Sequence, residues 1–449
     1  MKNSQTLTLS KKKYTYNILD AFETEIEIVE NMYNLPIEEL FTMAARINKK
    51  RSFLFVSKVL GKHLPILPNK GLLTAALLAV RYIESVKGLH CEEKEELVSF
   101  FSKGGETYNH LPFVPNSIQP IVIGFAETAT ALGHAFFDCF YTAEFFHTTR
   151  EEMREEKPNV TFEEEHSHAT SHRCYIPNNM INNQREIILV DDEITTGKTA
   201  LNIIQSIHAN YPREEYTVVS ILDWRSQENK DRFKQLEDEL GIKIHVVSLV
   251  AGHVQIKQHK EIISQSSSGN DRKNKVEQSV EFLQLSSLFT PVPFSSKTNG
   301  NTTPYILETG RFGLGGYENS FDEKMSDAAC YLEQKRTGEK TLCLGTGEFM
   351  YLPMQLASKM GSGVYYHSTT RSPIHVENRR GYGAQFGVTF PNPEDLTVTN
   401  FVYNIPPDYY DEIFIFFERE VELENLQPLL NELNRIGVQS IKIVFFSKS

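Results

Sequence analysis

Asp191 and Asp192 are adjacent carboxylates at the end of a four-residue apolar run, Ile187-Ile188-Leu189-Val190, and Glu193-Ile194-Thr195-Thr196-Gly197-Lys198-Thr199-Ala200 follows them. The run has the composition of a buried strand, and the residues after Gly197 open a helix. Such a turn leaves backbone N–H groups free at a helix N-terminus, surrounds them with hydroxyls and keeps a glycine where a ligand must approach the backbone. Thr195, Thr196, Gly197, Lys198 and Thr199 are therefore a candidate phosphate cradle. The carboxylate pair before it suits a polyol or a magnesium-bound sugar, and repels a second phosphate. Together they make a site for a sugar phosphate. Gly197-Lys198-Thr199 also ends like a Walker loop, but that motif requires glycine where Asp192 stands. The plainer alternative is a solvated acidic turn with a threonine N-cap.

The elements that must position these groups alternate. Short apolar runs at Ile121–Ile123, Thr142–Phe146, Ile187–Val190, Tyr216–Leu222 and Ile242–Val250 read as strands, and 72–85, 129–140, 200–209 and 230–240 carry helical spacing. Alternation of this kind predicts an α/β fold with a parallel sheet and right-handed crossovers, with ligands beyond the carboxyl ends of the strands. Residues 265–304 are rich in Ser, Asn, Gly and Lys and read as a linker, dividing the chain into 1–264 and 305–449.

At 449 residues the chain has room for two to four domains, and 40% hydrophobic residues suffice for their cores. A net charge of −12 argues against a nucleic-acid-coating surface. No signal peptide or membrane-length apolar run is visible, and five scattered cysteines suggest neither a disulfide framework nor structural zinc. A cytoplasmic protein is the expectation.

VDDEITTGKT resembles the phosphoribosyl-pyrophosphate (PRPP) signature of type I phosphoribosyltransferases. The resemblance implies that fold, with a parallel sheet, flanking helices and a lid. It implies that Asp191 and Asp192 hold the ribose hydroxyls directly or through Mg²⁺, and that Thr195 to Thr199 hold the 5′-phosphate. It further implies a pyrophosphate loop after the first core strand, for which Gly124-Phe125-Ala126-Glu127-Thr128 fits, its backbone N–H groups facing the pyrophosphate. The Phe53–Pro65 segment is loosely similar to the N-terminal part of orotate-type enzymes, which supplies base contacts and cations; Lys58, Lys62 and His63 are the candidates, against a solvated surface. Arg150, after the strand Ala143–Phe146, suits a bidentate phosphate contact. The hydrophilic stretch beyond it has the length of a catalytic lid. Its His166, His168, His172 and Arg173 could meet the leaving pyrophosphate, hold a metal, or be solvated.

Thr370-Arg371-Ser372-Pro373 resembles the TRSP domain, which in its family follows a phosphoribosyltransferase domain in proteins linked to tellurium-resistance gene clusters. The two halves also resemble each other. At an offset of 221 residues Gly124 meets Gly345, Glu127 meets Glu348, Phe145 meets Tyr366 and Thr148-Thr149-Arg150 meets Thr369-Thr370-Arg371. At 226, Glu186–Val190 meets Glu412–Phe416, after which Asp191-Asp192-Glu193 becomes Phe417-Glu418-Arg419 and nothing like the cradle follows. The C-terminal α/β domain thus reads as a degenerate repeat, with an expected anion site at Gly345–Glu348 and Arg371. The alternative is convergence of two α/β units.

The expected activity is Mg²⁺-dependent transfer of phosphoribose from PRPP to a small-molecule base with release of pyrophosphate, in nucleotide-like metabolism. The alternatives are a PRPP- or nucleotide-sensing protein without turnover, and a lyase or hydrolase on a nucleotide. Neither a nucleic-acid nor a membrane partner is expected; a homodimer is an assembly the resemblance allows.

Overall fold

Strand and helix follow each other in the same order twice. A computed structural model describes residues 12–47, 52–105, 108–163, 171–260, 262 and 278–448. The first half opens with the hairpin β1 (Lys12–Ile18) and β2 (Phe22–Asn31), a short α1 (Ile37–Leu40) and a second hairpin, β3 (Phe41–Ala45) and β4 (Phe53–Ser57). Helices α2 (Pro68–Ser85) and α3 (Lys94–Ser102) precede β5 (Ile121–Gly124), α4 (Thr130–Phe137) and β6 (Glu144–His147). A hairpin, β7 (Val160–Glu163) and β8 (Ser171–Cys174), and α5 (Asn178–Ile181) come next. The half closes with β9 (Ile187–Ile194), α6 (Lys198–Asn210), β10 (Glu215–Asp223), α7 (Gln227–Leu240) and β11 (Lys243–Gln258).

The second half starts with β12 (Ser279–Gln284), α8 (Asn319–Gln334), β13 (Thr341–Gly345), α9 (Tyr351–Lys359) and β14 (Val364–Ser368). A hairpin of β15 (Gly387–Asn392) and β16 (Asp395–Tyr403) follows, then β17 (Glu412–Phe417), α10 (Leu423–Arg435) and β18 (Ser440–Phe445).

The first sheet runs β1-β2-β11-β10-β9-β5-β6 and the second β12-β18-β17-β13-β14. From β11 to β6 every neighbour is parallel, as is every neighbour in the second sheet. Strands β6-β5-β9-β10 and β14-β13-β17-β18 therefore share order, direction and connecting helices. The fifth place is filled by a strand from the end of the first half and one from the start of the second. Convergence on a glycine turn explains neither the shared order nor the hairpin that interrupts both halves at the same point.

Three departures from expectation have local causes. The amino-terminal hairpin β1–β2 adds antiparallel strands to the sheet through β2 and β11; its alternation of charged and apolar residues is a one-sided strand pattern. Val160 and Phe162 of the hydrophilic stretch are buried and belong to the cluster that contains Ile203 and Ile204 of α6, so this stretch contains a strand hairpin. In the segment 265–304, β12 pairs with β18, while Ser295 and Ser296 donate to Glu155 and Glu151. Alternate apolar residues hide in a composition that is otherwise polar.

The two sheets share a core. One cluster of buried residues holds Leu72 and Leu77 of α2, Phe136 of α4, Met354 and Leu356 of α9, Tyr366 of β14 and Phe414 of β17.

Candidate active site

The turn after β5, the ends of β6 and β9, and the start of α6 open into one cavity. Its lining includes Phe125 to Thr128, Arg150, His172, Asp191 to Gly197, Thr199 and Ala200. The β3–β4 hairpin and its sequel add Arg46, Leu54, Phe55 and His63, and the second half adds Ser372.

Strand β9 continues through Ile194, with Asp191 paired to Ser220 and Glu193 to Leu222 of β10. The Asp192 N–H donates to Asp191 Oδ1 at 2.9 Å. Burial pushes the Asp191 pKa well above the usual carboxylate range, and the adjacent Asp192 pushes it further. A cation or a diol's hydroxyls would relieve that repulsion. Among the described residues no group of three or more His, Cys, Asp or Glu side chains is arranged to hold a metal, so a cation at this pair needs oxygens from a substrate as well.

The Thr195–Thr199 turn depends on Gly197. Its φ is +75°, and a Cβ there would lie 2.4 Å from the Phe233 ring. The Lys198 N–H donates to Thr196 Oγ1 at 3.3 Å, and α6 starts without a side-chain cap. Its first-turn N–H groups therefore face the turn, where an anion is favoured.

The opposite wall is the loop after β5. Gly124 lets this loop lie against α4, since a Cβ would come 2.9 Å from the Ala129 carbonyl. The Phe125 N–H donates to the Val190 carbonyl and that of Ala126 to Thr148 Oγ1. These two N–H groups are spent inside the protein, which corrects the expectation that the whole loop faces a ligand. Those of Glu127 and Thr128 have no partner among the described residues. Arg150 Nη1 meets Glu127 Oε2 at 3.3 Å, and Glu127 Oε1 is buried without a partner. Lys62 is buried, its ammonium donating to Thr128 Oγ1 at 2.6 Å. Burial lowers its pKa, while Glu127 and Asp192 pull it back up.

Residues 40–253 match the family model described as phosphoribosyl transferase, and residues 308–433 match the TRSP domain found C-terminal to it. The chain joins a phosphoribosyltransferase-family domain to a TRSP domain. Solved structures with similarity include adenine phosphoribosyltransferases. That of Trypanosoma brucei, in complex with AMP, pyrophosphate and ribose-5-phosphate, is 11% identical over 53% of this chain and 86% of its own, with a TM-score of 0.32. That of Rhodothermus marinus is 14% identical over 47% and 95%, with a TM-score of 0.28. The Saccharomyces cerevisiae enzyme is 12% identical over 46% and 93%, with a TM-score of 0.26. A comparison with curated proteins finds no match. Among the described residues no helix is long and apolar enough to cross a membrane.

Not every expected residue of the transferase domain reaches the site. Lys58 lies away from the cavity, its ammonium donating to the Glu38 carbonyl at 2.7 Å. His63 lines the cavity and its Nε2 is buried without a partner; burial, then the cations Lys62 and Arg46, hold its pKa well below the usual range. His172 Nδ1 meets Thr148 Oγ1 at 2.9 Å and its ring stacks on Phe162. Arg173 is outside the lining and its Nη1 donates to the Arg150 carbonyl. His166 and His168 lie outside the described residues.

The TRSP domain reaches in twice. Ser372 lines the cavity, and Glu348 accepts from the Thr149 hydroxyl at 2.6 Å and from the Arg150 N–H at 2.8 Å. Residue types alone did not reveal either contribution, although the offset of 221 marks Glu348 as the counterpart of Glu127. The counterpart site in the TRSP domain is filled by the protein itself. Arg311 pairs with both oxygens of Glu418, the counterpart of Asp192, and with Glu348 at 3.5 Å. Arg311 and Arg419 lie over the Tyr305 ring, and Glu420 and Glu422 stand before α10 where the cradle would be. The anion site expected at Gly345–Glu348 and Arg371 is thus occupied by Arg311 and two carboxylates. Thr370 accepts from the Ser372 N–H at 3.1 Å, Pro373 accepts from the Ile47 N–H, and Arg371 is half-buried with no partner among the described residues.

Proposed function

We propose that the chain transfers a 5-phosphoribosyl group from PRPP to a ring nitrogen of a small base, releasing pyrophosphate. The observation that carries this reading is the single cavity at the carboxyl ends of β5, β6 and β9, which gathers an anion-binding turn, a carboxylate pair and a cation-flanked second loop. The Thr195–Thr199 turn would take the 5′-phosphate. Asp191 and Asp192 would hold the ribose hydroxyls beside the positive charge that develops as the bond from C1 to pyrophosphate breaks. Arg150 and the N–H groups of Glu127 and Thr128 would meet the departing pyrophosphate, with the Lys62 ammonium behind them on Thr128, so charge would separate between groups already in place. Mg²⁺, held by Asp191, Asp192 and substrate oxygens, would screen the pyrophosphate charge when bound.

The test is pyrophosphate release by the purified full-length chain with PRPP, Mg²⁺ and a panel of bases. Release that depends on one base supports transfer. PRPP binding by calorimetry without release for any base would favour a sensor, and absence of PRPP binding would remove the reading.

A further inference from the structure

The phosphoribosyl donor accounts for the cradle, the carboxylates and the loop after β5, but other lining residues remain, five of them from the β3–β4 region and the TRSP loop. Arg46, Leu54, Phe55, His63 and Ser372 stand together in the same cavity. Four come from the β3–β4 hairpin and the segment after it, and Ser372 is the second half's one lining residue among the described residues.

This wall is held by the TRSP segment. Arg46 and Ile374 form an antiparallel bridge, the Ile47 N–H donates to the Pro373 carbonyl at 3.1 Å, and the His375 N–H donates to the Ala45 carbonyl at 2.9 Å. Tyr403 fixes the loop from behind. Its hydroxyl donates to the Ser372 carbonyl at 2.9 Å and accepts from the Ile374 N–H at 2.8 Å. The Ser372 backbone is thereby fixed where the residue lines the cavity.

The chemistry of the wall is one-sided. Phe55 stacks on Trp224 with ring centroids 5.0 Å apart and planes at 20°, so the hydrophobic part is a stiff aromatic surface suited to a flat ring. The polar part joins a guanidinium, which only donates, to a hydroxyl and a neutral imidazole, which each donate and accept, with no carboxylate among the five. His63 is also more than nine-tenths buried, with Nε2 lacking any hydrogen-bond partner. A buried polar atom of that kind is costly unless a ligand completes it.

We infer that the acceptor pocket is shared between the two halves, with Ser372 and His63 reading the edge of a planar heterocycle that presents an oxo or carboxylate oxygen. On this account the TRSP loop is a specificity-determining part of the transferase site. An exocyclic amino edge can be met by the hydroxyl or the imidazole, but it faces the donor-only guanidinium of Arg46 with no carboxylate to offset it, and binds less well. The inference rests on the proposed phosphoribosyl transfer.

The experiment uses the full-length chain with PRPP, Mg²⁺ and, in turn, hypoxanthine, orotate, nicotinate and adenine, reading pyrophosphate release; PRPP binding is measured separately by calorimetry without base. At least one oxygen-edged base should be used about tenfold more efficiently than adenine, the ratio expected for one well-placed hydrogen bond. Ser372→Ala should raise the KM for that base about tenfold while the PRPP Kd changes by less than about twofold. Ser372→Thr, which keeps the hydroxyl, should restore the KM, and this separates a lost contact from a disturbed fold. Preference for adenine, or an unchanged base KM in Ser372→Ala with normal PRPP binding, overturns the inference and leaves phosphoribosyl transfer standing. Normal PRPP binding without release for any of the four bases also overturns it. Failure of the unaltered chain to bind PRPP overturns the transfer reading, and the inference with it.

Discussion

Asp192 and Glu348 are both carboxylates, but their surroundings give them opposite tasks. Asp192 belongs to a crowded pair in which burial raises the Asp191 pKa, a repulsion that a cation, a diol or developing positive charge would relieve. Asp192→Asn should fold normally and lower turnover at least about tenfold, the effect of removing one preorganised electrostatic contact. Unchanged pyrophosphate release in that variant would remove the pair from the mechanism. Glu348 is structural. Burial raises its pKa, but Arg311, the Arg150 N–H and the Thr149 hydroxyl outweigh burial and bring it from 4.5 to about 2. Because the folded value lies below the unfolded one, its stabilisation is complete above pH 4.5 and is lost as pH falls towards about 2. Urea unfolding should show Glu348→Gln less stable than the natural chain by about 2–3 kcal/mol at pH 7. The gap should narrow as pH falls from 4.5 towards about 2; a constant gap would show that the charge is not what matters.

Among the elements, turns matter more than the helices and strands they join. The turn after β9 needs a left-handed residue with no Cβ, and the same turn supplies the cradle. Gly197→Ala should therefore cost about 1–3 kcal/mol in stability and weaken PRPP binding together; calorimetry showing native affinity would detach the cradle from the ligand. The loop after β5 is tied differently. Thr148 accepts from the Ala126 N–H and meets His172, so one hydroxyl connects the loop, β6 and the β7–β8 hairpin. The second half repeats the device, with the Gly347 N–H donating to Thr369 Oγ1 at 2.9 Å, the same distance as in the first. The threonine just after β6 and β14 is thus the same fastening in both halves.

Across the whole molecule, the halves cap each other. Ile66, just before α2, exchanges two backbone hydrogen bonds with Tyr366 on the edge strand β14. Leu314, before α8, does the same with Phe145 on the edge strand β6. Phe145 and Tyr366 are counterparts, so the exchange is reciprocal, as at an interface between two copies of one fold. The facing edges β6 and β14 are thus each bridged by the other half, and the helices between the sheets share one core. Separation would expose that core. Scanning calorimetry should accordingly show a single unfolding transition for the full chain; two resolved transitions would make the halves independent.

The chemistry of the first site is local, and the residues disclose it. A buried strand, a carboxylate pair, threonines and a glycine must follow one another directly because strand, ligand oxygens and helix N-terminus are neighbours along the chain. The alternation of strand and helix is legible for the same reason, and so is the repeat, since both halves keep the glycine, glutamate and arginine at equal spacing. Roles set by long-range packing are not legible. Lys58 and Lys62 are four residues apart and alike in type, yet only the second is carried to Thr128, because only it sits where the chain crosses to β14. Ser372 and Glu348 act on a site whose other residues lie far from them in sequence, and Arg311 closes the second site from outside the motif. These assignments are decided where edge strands pair and cores merge, between residues that no periodicity or local spacing connects.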